Sequence, residues 1–198
     1  MFRLIKWLFA LVAIILALII GLLYSKDSLA RAAVEQQIRA QTGMDVKIDK
    51  LSMGLFSPIV RIDNLTLSNP ADFGGIPFLH LRDVYAEYDR DALAHRELQL
   101  KLLRATVAEL AVVKNDLGQT NIINLAAAPQ KKSSEAVLFT GIEVANFSFE
   151  KMTYLDLKNE RNNRQFRLAV QNQVHRNLKN AGDFYGVFVQ LWKQKGGG

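Results

Sequence analysis

Val60-Arg-Ile-Asp-Asn-Leu-Thr-Leu-Ser-Asn-Pro70 is the stretch that decides the fold of this chain. Val60 and Ile62 alternate with Arg61 and Asp63; Leu65 and Leu67 alternate with Thr66 and Ser68. Successive side chains of an extended backbone point to opposite faces, so a period of two makes one face apolar and the other wet. Asn69-Pro70 ends the run, because Pro has no N–H to give to a ladder.

The same period extends outward on both sides. Upstream, Val46 and Ile48 alternate with Lys47 and Asp49. Downstream, past a loop punctuated by Gly74-Gly75, come Leu79 and Leu81, then Val84, Ala86 and Tyr88. The phase changes near Arg82-Asp83, which predicts a bulge or bend. Asp89 to Arg96 reads as a short helical turn. Asp89 and Asp91 flank Arg90 there, and an N-cap explains them better than acid–base catalysis. Alternation resumes at Leu98, Leu100 and Leu102, shifts phase, and continues through Leu110 and Val112. Asn115-Asp-Leu-Gly118 is a hairpin turn candidate, with Thr120 to Asn124 as a short return strand.

Residues 126–135 have linker composition, and a second strand group follows. Its members are Val137 to Phe139, Glu143 to Glu150 and Thr153 to Leu157. Asn159 to Asn163 turns the chain, after which Phe166, Leu168 and Val170 alternate. There is an internal echo: Leu103 to Asn121 and Ile142 to Asn159 each read as strand, break, strand, polar turn. The end of the chain, Asp183 to Trp192, is an apolar helix candidate too short to span a bilayer. Phe184, Phe188 and Trp192, with Lys193 beyond, suit either a cap on the sheet or a membrane or partner surface.

The N-terminus carries a different signal. From Trp7 to Tyr24 all 18 residues are apolar or Gly, with Arg3 and Lys6 before and Lys26 after. As a helix this run reaches about 27 Å, near the hydrocarbon thickness of a bilayer. Trp7 and Tyr24 stand where amphipathic rings favour the headgroup level. A cleaved signal peptide has the same order of charge and apolar core, but such cores run about 7–15 residues. The run is therefore read as a membrane anchor, residues 1–26, with Arg3 and Lys6 favouring a cytoplasmic N-terminus. Ser25 to Gln41 is a helix leaving it. Leu29, Ala33, Val34 and Ile38 lie on one face of that helix, and Thr42-Gly43 forms its stop.

The net charge of +6 is uneven: +3 over residues 1–26, −2 over 27–130 and +5 over 131–198. A basic end beside a membrane suits anionic headgroups as well as ordinary solvation. No nucleic-acid module accompanies it, so no nucleic-acid partner is expected. The absence of cysteine suits an oxidising compartment. His80, His95 and His175 are scattered without metal-ligand spacing, and no nucleophile elbow, phosphate loop or HExxH occurs. The expectation is a non-enzymatic protein with no cofactor and no metal.

The order of these pieces carries a family resemblance. An N-terminal membrane helix leads to Thr42-Gly43 with Val46 and Ile48. Then come Leu55-Phe56-Ser57-Pro58, the Val60 to Pro70 run, Phe78-Leu-His-Leu81, Asp91-Ala-Leu93 and Ala111 to Ile122. Residues 1 to about 125 resemble the N-terminal region of AsmA-like proteins of Gram-negative envelopes. The resemblance implies a single-pass bacterial inner-membrane anchor and a periplasmic body. It also implies kinship with bridge-like lipid transfer proteins, in which a rolled sheet offers an apolar groove to acyl chains, and a link to outer-membrane biogenesis and lipid transport. It supplies no catalytic residues. This chain is short for the family: eight to ten strands at about 4.8 Å would make a groove of roughly 40–50 Å.

The fold expected is thus mainly β with helices. A transmembrane helix precedes a twisted antiparallel sheet, groove-like or rolled, built from residues 27–125 and 136–198 and ending in a short helix. One function expected is lipid handling by the inner face, lined by Leu65, Leu67, Leu79, Leu81, Leu98, Leu100, Phe147 and Phe149. An ordinary packed core uses the same residues. The alternative is a membrane-anchored interaction or scaffold subunit of a larger envelope complex, or one that self-associates.

Overall fold

The computed structural model describes residues 43–54, 57–121 and 138–179, with residues 32, 35, 36, 38, 39 and 183. The anchor from Trp7 to Tyr24, the linker 126–135 and the terminal helix residues Phe184, Phe188, Trp192 and Lys193 lie outside the described residues. Among the described residues no helix is long and apolar enough to cross a membrane.

The alternating segments form six strands: β1 (Asp45–Met53), β2 (Ile59–Ser68), β3 (Pro77–Tyr88), β4 (Glu97–Lys114), β5 (Leu138–Asp156) and β6 (Arg164–Leu178). They lie in one sheet in chain order. All neighbours are antiparallel except β4 and β5, which run parallel. The sheet is therefore mixed, which corrects the antiparallel expectation. Parallel neighbours need a crossover of about a dozen residues or more, and residues 115–137 supply that length. The stretches of the internal echo are these parallel neighbours, with Leu103 opposite Ala145 and Lys114 opposite Asp156.

The turn at Asn115 to Gly118 forms, with Gly118 N–H donating to Asn115 O at 2.9 Å. Of the expected return strand, Thr120 bridges back to Lys114 and Asn121 is helical, while residues 122–124 lie outside the described residues. The segments from Val137 to Leu157 are also fewer than expected, because they merge into the single strand β5.

Phase slips explain that miscount. A slip of one residue moves every later side chain to the other face. The apolar face nevertheless stays continuous, because neighbouring strands slip together. Ile48 and Leu51 face Leu65 and Ile62, and those two face Leu81 and Val84. The extra residues of these three strands sit at one level, and Asn64 takes its place there with φ +50°. On β3 the slip falls at Arg82-Asp83, as the sequence indicates. A second aligned slip runs from Leu100 to Leu103 on β4 and from Ile142 to Ala145 on β5. Between β1 and β2 and between β4 and β5 these slips keep the pairing register, whereas β3 and β4 shift register at both levels, at Leu81/Asp83 and Glu87/Tyr88.

The short helix Arg90–Ala94 starts at Asp89, whose Oδ1 accepts from Asp91 N at 2.8 Å and Ala92 N at 3.1 Å. At the N-terminal side, Gly43 N–H donates to Arg39 O at 2.9 Å with φ +67°, a conformation that favours Gly and ends the helix there. That helical segment closes on β1. Ile38 enters the core, Glu35 Oε1 accepts from Ile48 N at 3.0 Å, and Arg39 pairs with Asp45 at 2.9 Å.

Candidate functional site

One apolar cluster covers the inner face of the sheet from β1 to β6. All eight residues read as lipid-facing belong to it. Leu65 stands opposite Leu81, Leu67 opposite Leu79, Leu100 opposite Ile142, Ala105 opposite Phe147 and Val107 opposite Phe149. Leu65, Leu67, Leu79, Leu98 and Leu100 are 0% exposed, Leu81 is 4% and the two phenylalanines are 9%. The face also takes Val60, Ile62, Leu103, Leu110 and Ile142, which the same alternation carries. Leu102 is corrected: the slip in β4 puts Leu103 on the inner face and leaves Leu102 half-buried on the other.

Burial declines along this face. Phe147 and Phe149 pack with ring centroids 6.5 Å apart at 50°. Beyond them Met152 is half-buried, and Phe166, directly opposite on β6, is 41% exposed. Tyr154 follows, opposite Arg164. The apolar face thus opens at the corner where β5 ends and β6 begins. His175 sits on the same face opposite Ala145. Its Nε2 is buried without a hydrogen-bond partner, and burial holds its pKa below the usual imidazole value. Nothing in the alternation of Phe166, Leu168 and Val170 marks His175 as inward, because β6 changes phase between Val170 and Gln173, at the positive-φ residue Asn172.

The outer face is polar and cross-linked strand to strand. Glu109 pairs with Lys151 at 2.8 Å and accepts from Thr153 Oγ1 at 2.7 Å. Burial raises the Glu109 pKa, but those two hydrogen bonds outweigh it and the carboxyl sits below its usual range. His80 lies opposite Glu109 on this face. Arg82 pairs with Glu150 at 2.6 Å. The Tyr85 ring lies between Arg61 and Arg104, at 5.3 and 5.4 Å from its centroid. A smaller apolar patch of Phe73, Ala111 and Val113 with Ile76 and Leu155 closes one end of this face.

The acids Asp89 and Asp91 form a helix start. Backbone donation from Ala92, then Lys101 at 3.1 Å, hold the Asp89 carboxyl below its usual pKa. Among the described residues no three His, Asp or Glu side chains gather around a point that a metal could occupy. Among the described residues the arrangement is a largely buried apolar face with a polar back, more exposed at the Phe166 corner. No protein-family model, no curated protein and no solved structure matches this chain.

Proposed function

We propose that this chain is a membrane-tethered protein of the AsmA-like kind, placed in a bacterial inner membrane with its body in the periplasm. It handles lipid on the inner face of its sheet and catalyses no reaction. The observation that supports this reading is the continuity of the apolar face across six strands, maintained through aligned phase slips. A buried Leu or Phe side chain contributes about 1.5–3 kcal/mol relative to water. Leu65, Leu67, Leu79, Leu98 and Leu100 of this face are already 0% exposed, so acyl groups would enter from its less buried end. Its opening at Phe166 gives acyl chains a way onto it. The six described strands span only about 24 Å at 4.8 Å per step, so one copy passes lipid locally and does not bridge an envelope.

The test is photo-crosslinking of the full chain in membranes, with benzoylphenylalanine at Phe147 and, for comparison, at Thr66 on the outer face. Adducts of phospholipid mass at Phe147 and not at Thr66 support lipid handling. Adducts confined to the chain itself, with protein adducts elsewhere, favour the second reading of a membrane-anchored interaction subunit. That reading draws on the complete burial of Leu65, Leu67, Leu79, Leu98 and Leu100, the packing of an ordinary core.

A further inference from the structure

The two edges of the sheet differ. β1 has part of its edge occupied: the N–H of Ile48 is taken by Glu35, and Arg39 holds Asp45. Among the described residues β6 has β5 as its one neighbour in the sheet. From Arg164 to Lys179 the chain carries Arg164, Arg167, Arg176 and Lys179 and no Asp or Glu. Among the described residues no carboxylate lies within ion-pair distance of the three arginines. Phe166 and Val174 are exposed beside them, at 41% and 53%.

An open edge is ordinarily a template for another strand. Here Ala169, Asn172 and Asn177 take φ of +45°, +50° and +56°, and the register with β5 shifts twice. These breaks cut the outward row of N–H and C=O groups into short pieces and disfavour strand addition. A second copy of β6 would also set arginine against arginine. Arg164 Nη1 donates to the carbonyls of Arg161 and Asn163 at 2.7 and 2.8 Å, which leaves its charge uncompensated. What fits a row of cations without carboxylate partners, with exposed apolar side chains between them, is a surface that is anionic outside and apolar within.

We infer that the β6 edge rests on an anionic bilayer, with Arg164, Arg167 and Arg176 at the headgroups and Phe166 and Val174 at the acyl boundary. This rests on the membrane-tethered reading above and adds which side of the sheet meets the lipid. The same edge adjoins the open corner of the apolar face at Met152, Tyr154 and Phe166. A lipid leaving the bilayer there reaches the inner face without crossing the polar back of the sheet.

The chain has no cysteine, so single-cysteine variants report cleanly. Gln171→Cys on β6 and Lys47→Cys on β1, in the full chain, are labelled with a fluorophore. Each is placed in nanodiscs of phosphatidylcholine with or without phosphatidylglycerol, with a headgroup nitroxide lipid as quencher. The expected result is strong quenching at 171 and little at 47, only with phosphatidylglycerol, and fading as salt is raised. An arginine near an anionic surface contributes about fivefold to partitioning, so R164Q/R167Q/R176Q loses the contact by on the order of a hundredfold. Circular dichroism confirms that this variant is folded; if it is not, R167Q alone gives a graded loss. Equal quenching at 171 and 47, or quenching indifferent to phosphatidylglycerol, overturns the inference. Lipid adducts at Phe147 alongside that outcome would leave lipid handling standing and remove only the edge.

Discussion

Asn121 donates from Nδ2 to Asn69 Oδ1 at 3.0 Å, tying two buried side chains that lie 52 positions apart. The same Asn121 amide donates to Ala111 O at 3.0 Å and accepts from Val113 N at 3.1 Å, as a neighbouring backbone would. Asn69 in turn donates to Ile76 O at 3.0 Å. The pairing of β3 with β4 ends at Leu79 and Leu110, so Ala111 and Val113 have no β3 partner. The two amides therefore finish the sheet where the strand runs out.

Asn121→Ala should be among the more damaging single changes outside the apolar face. It leaves the Val113 N–H, the Ala111 carbonyl and Asn69 without their partner, and each unsatisfied buried group costs about 1–3 kcal/mol. A loss of about 2–4 kcal/mol is expected in chemical denaturation. The double variant with Asn69→Ala should lose less than the sum of the two single losses, because the pair is coupled. Strict additivity would show that the 3.0 Å contact carries no shared energy.

Leu102 and Leu103 provide a sharp test of the phase slip. Leu103 is 0% exposed on the inner face and Leu102 is half-buried on the other. Truncation of a buried leucine costs about 2–5 kcal/mol, through lost transfer energy and the cavity left behind. Leu103→Ala should fall in that range and Leu102→Ala well below it. Similar losses at both positions would mean that β4 does not slip between Leu100 and Leu103.

That pair also marks the limit of what the sequence discloses. The alternation at Val46, Val60, Leu65, Leu79 and Leu98 is local, and it placed strands and inward residues well. The cap at Asp89 and the bend at Arg82-Asp83 were legible for the same reason. The slips at Asp49-Lys50 and Asp63-Asn64 were not read, because a slip makes sense only when the neighbouring strand slips at the same level. The parallel pairing of β4 with β5 was hidden likewise. It depends on where residues 115–137 return the chain, and the turn at Asn115 to Gly118 is followed among the described residues by a single bridge, Thr120 to Lys114. The Asn69–Asn121 bridge leaves no periodic trace at all. The eight candidate lining residues come together because they share one phase, yet the same phase serves a core or a lipid surface.

Asp156 is buried at the end of β5 and accepts from Asn162 Nδ2 at 3.0 Å, Lys114 Nζ at 3.2 Å and the N–H groups of Lys158 and Asn159. The Asn162 bond, ahead of Lys114, holds its pKa below the ordinary value of 3.8. A carboxyl whose pKa is depressed by folding adds stability above its unfolded pKa and loses it as the pH falls through the folded one. Acid unfolding below about pH 4 should therefore be less steep in Asp156→Asn than in the parent chain. Identical acid limbs would show that these bonds do not favour the ionised form.

His175 should act at a higher pH and in a related sense. Burial on the inner face lowers its pKa below 6.5, and its Nε2 finds no partner there. The folded state thus binds its proton less readily than the unfolded chain. Stability is whole above about pH 6.5 and falls as the pH drops from there toward the folded pKa, below which the loss levels off. Melting temperatures at pH 7.5 and 5.5 should differ more for the parent chain than for His175→Gln, which keeps polarity without a charge to acquire. Because His175 sits between the apolar face and the β6 edge, exchange of β6 amides should rise in the same interval and not in the variant. An unchanged difference between the two pH values in His175→Gln would place the acid sensitivity in some other group.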